Sequence, residues 1–320
     1  MQLSDLKKAM KGVFIAQTTP FNKDGSLDLE GMRANTRWLL ERTSDRDFVL
    51  VPVGSTGEFY AMSDDECQAV IRMVVDEVNG RLPVVPGTGR AGTRETIKMC
   101  QYAQSVGADG VLVVLPYYNI PQEEGMYQHY KQVAESVNIG VMLYNNPDVS
   151  GCWVKPALVA KLAKIPNFIA VKENTLNVLS YYSMQKTVDP KDTVILCGRG
   201  EEVFSFEALY GCPGFISSVA NFAPELSYSI YEAAVARDFD KVTELVNSKA
   251  PFYSFIGKAA MNHGPSTGVT GNAVMFISVV KAAMDILELR GGEVRLPLVA
   301  LNEEEKAELS SILKAMKLVK

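Results

Sequence analysis

The stretch Gly110-Val111-Leu112-Val113-Val114-Leu115 decides the fold, because it is apolar at every position rather than at every second one. An unbroken apolar run of this length is typical of a parallel strand that is buried on both faces, whereas a half-exposed strand alternates apolar and polar residues. Seven further runs of the same kind lie at residues 13–16, 48–53, 82–86, 139–144, 168–171, 194–197 and 214–218. The sequence therefore predicts eight parallel strands.

The segments between these runs are long enough to hold a crossover helix each. The spacing predicts helices at residues 29–42, 64–79, 93–106, 123–137, 155–163, 179–187 and 201–210. Ser63 followed by Asp64-Asp65-Glu66 is typical of a helix N-cap with an acidic first turn. Eight strand-helix units exceed the five or six strands of most doubly wound sheets, so the predicted fold class is α/β, a (β/α)8 TIM barrel.

The pattern changes after the eighth run. No further strand pattern follows, and helices are predicted at residues 226–235, 242–256, 272–289 and 303–318. We therefore predict a barrel core over residues 1–222. Residues 223–320 would supply helices that complete the outer ring and form a C-terminal helical extension.

Composition and charge exclude several classes of protein. The 320 residues include 32 Lys and Arg against 37 Asp and Glu, a formal net charge of −5, and no basic cluster typical of a nucleic-acid or anionic-membrane binder. No apolar run approaches the roughly 20 residues of a membrane span, and the first residues lack the pattern of a signal peptide. We therefore expect a cytoplasmic protein that binds neither nucleic acid nor membrane. Its five cysteines are odd in number and widely spaced, which predicts free thiols.

Catalytic residues of such barrels lie where the strands end, at the C-terminal mouth. The second run is followed by Gly54-Ser55-Thr56-Gly57-Glu58. Its glycines allow backbone N–H groups to approach a ligand closely, and its hydroxyls add donors, so this loop could bind a carboxylate or phosphate. An ordinary capped turn explains the same residues equally well.

Two tyrosines and a lysine stand at other strand ends. Tyr118 follows the fourth run and Tyr144 ends the fifth, where a phenol either carries protons or packs with its hydroxyl hydrogen-bonded. Lys172 follows the sixth run. Burial there would lower the pKa of its amine and leave it free to attack a carbonyl, whereas a lysine that reaches solvent would stay protonated.

The order and spacing of these motifs resemble a known family. Gly54-Ser55-Thr56-Gly57-Glu58, Tyr118, Tyr144-Asn145-x-Pro147 and Lys172 are similar to the dihydrodipicolinate synthase / N-acetylneuraminate lyase family of class I aldolases. The resemblance spans residues 12–310 and includes Thr18-Thr19-Pro20-Phe21, Gly87-Thr88-Gly89, Gly198 and Gly214-Phe215-Ile216-Ser217.

The resemblance implies Schiff-base chemistry on a pyruvate-type 2-oxo acid, without a metal or an organic cofactor. Lys172 would attack the keto carbon, and Tyr144 would relay protons. Ser55, Thr56 and the backbone around Gly57 would hold the carboxylate of the substrate. The resemblance also implies that Tyr118 of a neighbouring subunit joins the proton relay through Ser55. This would require a homo-oligomer, either a dimer or a tetramer. Gly198 and Ile216 would line the substrate site.

Two positions depart from the pattern of the synthases. Their arginine that holds a second carboxylate is matched here by Val149, an aliphatic residue as in the neuraminate lyase and sugar-acid aldolase branches. The predicted function is therefore a lyase acting on pyruvate or a 2-keto-3-deoxy sugar acid, with the synthase itself, or a dehydratase or deaminase of the same family, as the alternative. Arg199 stands where many relatives place aspartates, and it would either bind the distal end of the substrate or face solvent.

Two other classes of protein are alternatives to this lyase. A barrel that binds a small carboxylate without turnover stays possible, because a fold does not by itself imply an activity. A metal-dependent class II aldolase would need several metal ligands, and the two histidines of the chain, His129 and His263, do not supply them.

Overall fold

Parallel strands form the centre of the molecule and helices surround them. The computed structural model describes residues 1–175, 177–264 and 274–319. All strand pairs in the sheet are parallel, in the order β2-β1-β7-β6-β5-β4-β3. The strands are β1 (Gly12–Ala16), β2 (Phe48–Val51), β3 (Gly110–Val114), β4 (Gly140–Asn145), β5 (Phe168–Glu173), β6 (Val194–Cys197) and β7 (Gly214–Ser217).

The segment that was predicted as the third strand closes the barrel without being a regular strand. Parallel bridges link Val84 to Leu50 of β2 and Gly87 to Leu112 of β3, so this segment lies between the two ends of the sheet. Pro83 and Pro86 interrupt it, and a proline has no N–H to donate to a ladder. The predicted TIM barrel is confirmed, but the predicted strand at residues 82–86 is reduced to bridges.

The helices follow the strands as predicted. Ser63 caps α3 with a reciprocal pair of hydrogen bonds, in which Glu66 N donates to Ser63 Oγ (3.2 Å) and Ser63 N donates to Glu66 Oε2 (2.9 Å). The helices are α1 (Leu3–Ala9), α2 (Leu29–Thr43), α3 (Asp64–Val78), α4 (Thr93–Ser105), α5 (Glu123–Glu135), α6 (Pro147–Ser150), α7 (Pro156–Leu162), α8 (Val178–Thr187), α9 (Gly200–Glu207), α10 (Pro224–Val235), α11 (Phe239–Asn247), α12 (Ala250–Asn262), α13 (Phe276–Ile286) and α14 (Glu303–Ala315).

The single helix predicted at residues 242–256 is wrong, because α11 and α12 divide this stretch between them. Pro251 is the second residue of α12. A proline fits the first turn of a helix but would break the interior of a longer one, so the chain ends α11 and starts again. Of the helix predicted at residues 272–289, the first two residues lie outside the described part, and α13 covers most of the rest.

The C-terminal helices pack around an apolar cluster of their own. Residues from α12, α13 and α14 bury side chains against Val219 and Phe222, which follow β7. The rings of Phe222 and Phe252 lie 5.4 Å apart between centroids. This cluster attaches the predicted helical extension to the mouth of the barrel. None of the described helices is long and apolar enough to span a membrane.

Candidate active site

Neighbouring strands place Lys172 and Tyr144 side by side at the mouth of the barrel. Tyr144 of β4 is in register with Lys172 of β5, so the two side chains point to the same face of the sheet. Lys172 Nζ lies 3.6 Å from the centroid of the Tyr144 ring, and each residue is 6% exposed. Among the described residues, no carboxylate lies within 4.0 Å of this Nζ. The amine therefore meets the face of a phenol rather than a counter-ion.

The hydroxyl of Tyr144 is held by its own strand end. Asn146 Nδ2 donates a hydrogen bond of 2.8 Å to the Tyr144 oxygen, and Asn146 is buried at the N-terminus of α6. Because the amide occupies an acceptor position of the phenol, the phenolic proton remains available for a group in the cavity.

A small cavity of about 10 Å³, open to solvent, connects the loop after β2 with Tyr144. Ser55 and Tyr144 line it together, as the resemblance implies. Gly89 packs tightly against β3 in the wall of this cavity, because a Cβ there would lie 2.6 Å from Val114 Cγ1. The full lining is Val53, Gly54, Ser55, Phe59, Gly87, Gly89, Leu112, Val114 and Tyr144.

The loop Gly54–Glu58 is a tight double turn against the start of the chain. Gly57 N donates to Gly54 O (3.0 Å), and Glu58 N donates to Ser55 O (3.1 Å). A Cβ at Gly57 would lie 3.0 Å from Gln17 O and 3.1 Å from Thr19 Oγ1, so a larger residue would displace one side of the contact. Thr56 is buried, 7% exposed.

Gly198 brings the end of β6 against the backbone beside Lys172. Its N–H donates to Glu173 O at 2.6 Å, and a Cβ there would lie 2.6 Å from that same oxygen. A glycine is required for this close approach. Ile216, on β7, is 5% exposed and pairs with Phe14 of β1.

Arg199 neither enters the cavity freely nor faces bulk solvent. Its Nη1 lies 2.7 Å from Asp148 Oδ2, and the two side chains are 21% and 26% exposed. Asp148 belongs to α6, and Val149 follows it with 44% of its surface exposed. The ion pair therefore links the segment after β4 with the loop after β6 at the rim of the mouth, while Val149 offers no charge there.

Of the predicted site residues, Ser55 and Tyr144 line the cavity formed by the described residues, and Lys172 lies against the ring of Tyr144 without lining it. Tyr118 is the predicted site residue with the most exposed side chain. It lies on the loop after β3 and is 84% exposed. Its ring is absent from the lining of the cavity formed by the described residues.

Sequence reasoning missed the carboxylate next to the lysine. Glu173 is 1% exposed; its Oε2 accepts from Asn145 Nδ2 (2.8 Å) and its Oε1 accepts from Thr175 N (3.1 Å). Burial raises the pKa of Glu173 above its usual value. Strand alternation places this residue on the helix-covered side, where a carboxylate needs a partner. The contact ties the end of β4 to the end of β5, directly behind Tyr144 and Lys172.

Two kinds of chemistry within the described residues would need side chains that bind a metal ion or a reactive cysteine. No group of three or more His, Cys, Asp or Glu residues there is placed to hold a metal ion. The five cysteines are free thiols. Burial raises the pKa of Cys67 and Cys100 to about 11 and that of Cys212 to about 12, which makes these thiols poor nucleophiles.

Comparison with known proteins extends these findings over the whole chain. A 4-hydroxy-tetrahydrodipicolinate synthase of Archaeoglobus fulgidus is 34% identical over 97% of this chain and 99% of its own length. A synthase of the same name from Methanopyrus kandleri is 36% identical over 97% of each chain. Among solved structures, the chain is similar to YagE, a prophage protein of the dihydrodipicolinic acid synthase family from E. coli K12, in complex with pyruvate. The two structures superpose with a TM-score of 0.85 at 32% sequence identity, and the match covers 97% of this chain and 99% of YagE.

The barrel and these relatives define an enzyme, a lyase of the class I aldolase type that works through a lysine Schiff base. The model of the Dihydrodipicolinate synthetase family matches residues 9–316. The chain belongs to this family.

Proposed function

We propose that Lys172 forms an imine with the keto carbon of a pyruvate-type 2-oxo acid, and that the protein makes or breaks the bond between the carbon adjacent to the imine carbon and the next carbon beyond it. The observation that carries the proposal is the buried Lys172 Nζ, 3.6 Å from the ring centre of Tyr144 at the mouth of the barrel. The pyruvate complex of YagE supports the class of substrate.

The chemistry assigns each group a step. The neutral amine attacks the carbonyl carbon, and Tyr144 supplies the proton that allows water to leave. In cleavage, the protonated imine accepts the electron pair of the bond that breaks, while the hydroxyl of the departing fragment gives its proton to Tyr144 and becomes an aldehyde. The resulting enamine takes a proton at carbon and becomes the imine of pyruvate. Hydrolysis of the imine returns the amine. Asn146 fixes the position of the Tyr144 hydroxyl through its donated hydrogen bond.

The loop Gly54–Glu58 is the proposed site of the substrate carboxylate. Ser55 lines the same cavity as Tyr144, and a turn with glycines on both sides leaves backbone N–H groups accessible. Tyr118 would complete the proton relay only from a second copy of the chain, since it is 84% exposed in its own. We therefore also propose a homo-oligomer in which this loop reaches the site of its neighbour.

The second substrate has two candidates. The names of the relatives support condensation of pyruvate with aspartate semialdehyde, the synthase reaction, better than a reaction on a sugar acid. One observation favours cleavage or dehydration of a 2-keto-3-deoxy sugar acid. Val149 stands where a synthase is expected to hold a second carboxylate, and the nearby Arg199 is already paired with Asp148.

Borohydride reduction in the presence of pyruvate tests the imine. We expect a reduced pyruvyl adduct on the peptide that contains Lys172 and none on the peptide that contains Lys249, a buried lysine paired with Glu201. Lys172→Ala should remain unlabelled. An adduct on another lysine, or no adduct at all, would refute the assignment.

A panel of second substrates then separates the two candidates. The protein is given pyruvate with aspartate semialdehyde in one series and 2-keto-3-deoxy pentonates and hexonates in another, and the products are identified by mass spectrometry. Synthase product alone would establish the first candidate, and release of pyruvate or loss of water from a sugar acid would establish the second. Labelling of Lys172 without any product would point to a carboxylate-binding barrel.

A further inference from the structure

Glu58 has a backbone conformation that its residue type does not favour. Its φ of 56° and ψ of 34° are left-handed, and its side chain is fully buried. This conformation is common for glycine and asparagine but not for glutamate, and a buried carboxylate is costly unless it is paired. A glutamate at this position therefore needs a specific interaction of its side chain.

Lys281 of α13 supplies that interaction from the C-terminal part of the chain. Its Nζ lies 2.8 Å from Glu58 Oε1, and Arg295 N donates to Glu58 Oε2 at 2.9 Å. The same Nζ donates to Thr19 O (2.9 Å) and to Glu293 O. The three protons of the ammonium group thus have three acceptors, and Lys281 is 1% exposed.

The contact continues into the loop that lines the cavity. Thr19 Oγ1 donates to Gly57 O at 2.8 Å. Lys281 consequently holds Glu58 directly and Gly57 through Thr19, at the end of the turn that places Ser55 beside the cavity. Neither Glu58 nor Lys281 lines the cavity among the residues that the structure describes.

We propose that Glu58 and Lys281 are positioning residues, which fix the loop Gly54–Glu58 for binding the carboxylate of the 2-oxo acid. The inference rests on the proposed function, because it takes this loop as the carboxylate site. It gives α13 a role in substrate affinity: the helix acts on the loop and leaves the amine and the phenol of the reaction untouched.

Lys281→Met tests the role by separating affinity from rate. The substitution keeps the apolar stem and deletes all three donated hydrogen bonds. We expect the pyruvate concentration for half-maximal trapping on Lys172 to rise about tenfold or more, the scale of one lost charge-assisted hydrogen bond. The trapping rate at saturating pyruvate should stay within about threefold of the wild type, since Lys172 and Tyr144 are unchanged.

Glu58→Gln is the conservative variant that should rescue the loop. The amide oxygen can still accept from Lys281 Nζ or from Arg295 N, so half-saturation should change by less than about threefold. Glu58→Ala removes both acceptors, and its effect should match that of Lys281→Met. If the contact only stabilised the fold, Glu58→Gln and Glu58→Ala would have the same half-saturating pyruvate concentration.

Lys249→Met is the matched control. Lys249 also belongs to the C-terminal part, is 0% exposed and pairs with a buried barrel glutamate, Glu201, at 3.5 Å, but it does not contact the loop Gly54–Glu58. The variant should lose thermal stability and keep the half-saturation of the wild type. Hydrogen exchange without pyruvate gives a second readout, in which amides of residues 54–59 exchange faster in Lys281→Met only.

The outcomes separate this inference from the proposed function. Two results would overturn the positioning role. One is an equal shift of the half-saturating pyruvate concentration in Lys281→Met and Lys249→Met. The other is that Lys281→Met shows neither a shift of this concentration nor faster hydrogen exchange in the loop. Absence of any wild-type adduct on Lys172 would refute the proposed function, and hydrogen exchange would still decide whether Lys281 fixes the loop. If Lys281→Met does not fold, the double variant Glu58→Gln/Lys281→Met, which removes both buried charges, takes its place with the same expectation.

Discussion

Val149→Arg is the substitution that decides between the two candidate second substrates. Val149 is the third residue of α6, 44% exposed at the rim of the mouth, and its N–H donates to Asn146 O at 3.2 Å. Because the side chain points away from a filled core, an arginine can be introduced without overpacking. The variant would add a guanidinium beside the strand end that carries Tyr144.

The expected gain follows from the missing contact. A hydrogen bond between charged groups contributes about 1.5–3 kcal/mol, which corresponds to a factor of roughly 10 to 150 in kcat/KM for aspartate semialdehyde. We expect a value near the lower limit, since Asp148 at this rim would compete with the substrate for the introduced guanidinium. Half-saturation for pyruvate should not change.

The assay measures condensation of pyruvate with aspartate semialdehyde by mass spectrometry of the product. Val149→Leu adds volume without charge and should show no gain. The reasoning would be refuted by a wild-type kcat/KM already above about 10⁴ M⁻¹s⁻¹ for aspartate semialdehyde, the range of efficient enzymes. It would also be refuted if Val149→Arg gave no gain while Lys172 still trapped pyruvate.

Three further predictions concern the reacting groups and the buried acids. Lys172→Arg should lose turnover to below about one per cent in a steady-state assay, because a guanidinium stays protonated and cannot attack a carbonyl; higher retained activity would contradict the nucleophile. Tyr144→Phe should lower kcat by roughly 10²- to 10⁴-fold with little change in melting temperature, and a variant that only melts earlier would show a packing role. Burial raises the pKa of Glu207 from 4.5 to about 8, so the contribution of this carboxyl to the free energy of unfolding should be complete below pH 4.5 and be lost as pH rises toward 8, by about 5 kcal/mol at most. Glu207→Gln should remove this part of the loss in urea unfolding at pH 6 and pH 8 at equal protein concentration, and an unchanged loss would disprove the assignment.

The fold was predictable because buried parallel strands leave an unbroken apolar signal. An apolar pattern carries no information about backbone hydrogen bonds, so it predicted a strand at residues 82–86. Pro83 and Pro86 have no N–H to donate there, and the segment forms only isolated bridges. Apolar periodicity also merged α11 and α12, although Pro251 marks the start of a new helix. Both errors come from giving apolar pattern more weight than the missing N–H of proline.

The site was predictable where it depends on strand ends. Register places Tyr144 beside Lys172, and this follows once eight parallel strands are assumed. The pair Glu58 and Lys281 could not be found in this way, because 223 positions separate the two residues and no local pattern predicts a buried contact at that distance. The left-handed conformation of Glu58, which would have drawn attention to it, is visible only in the structure.

Burial divides the mouth of the barrel into a fixed and a variable part. Lys172, Tyr144 and Thr56 are each less than a tenth exposed, and they are held by strand register and by turns packed on the core. The rim formed by Asp148, Val149 and Arg199 is a short helix and a loop, with side chains a fifth to a half exposed. Substitutions at this rim cost little stability, because few contacts are lost there. A chain 34% identical to a synthase over nearly its full length can therefore keep the buried groups and differ at the rim. Under the proposed function, we expect the choice between the two candidates to depend on Val149 and Arg199 more than on overall similarity.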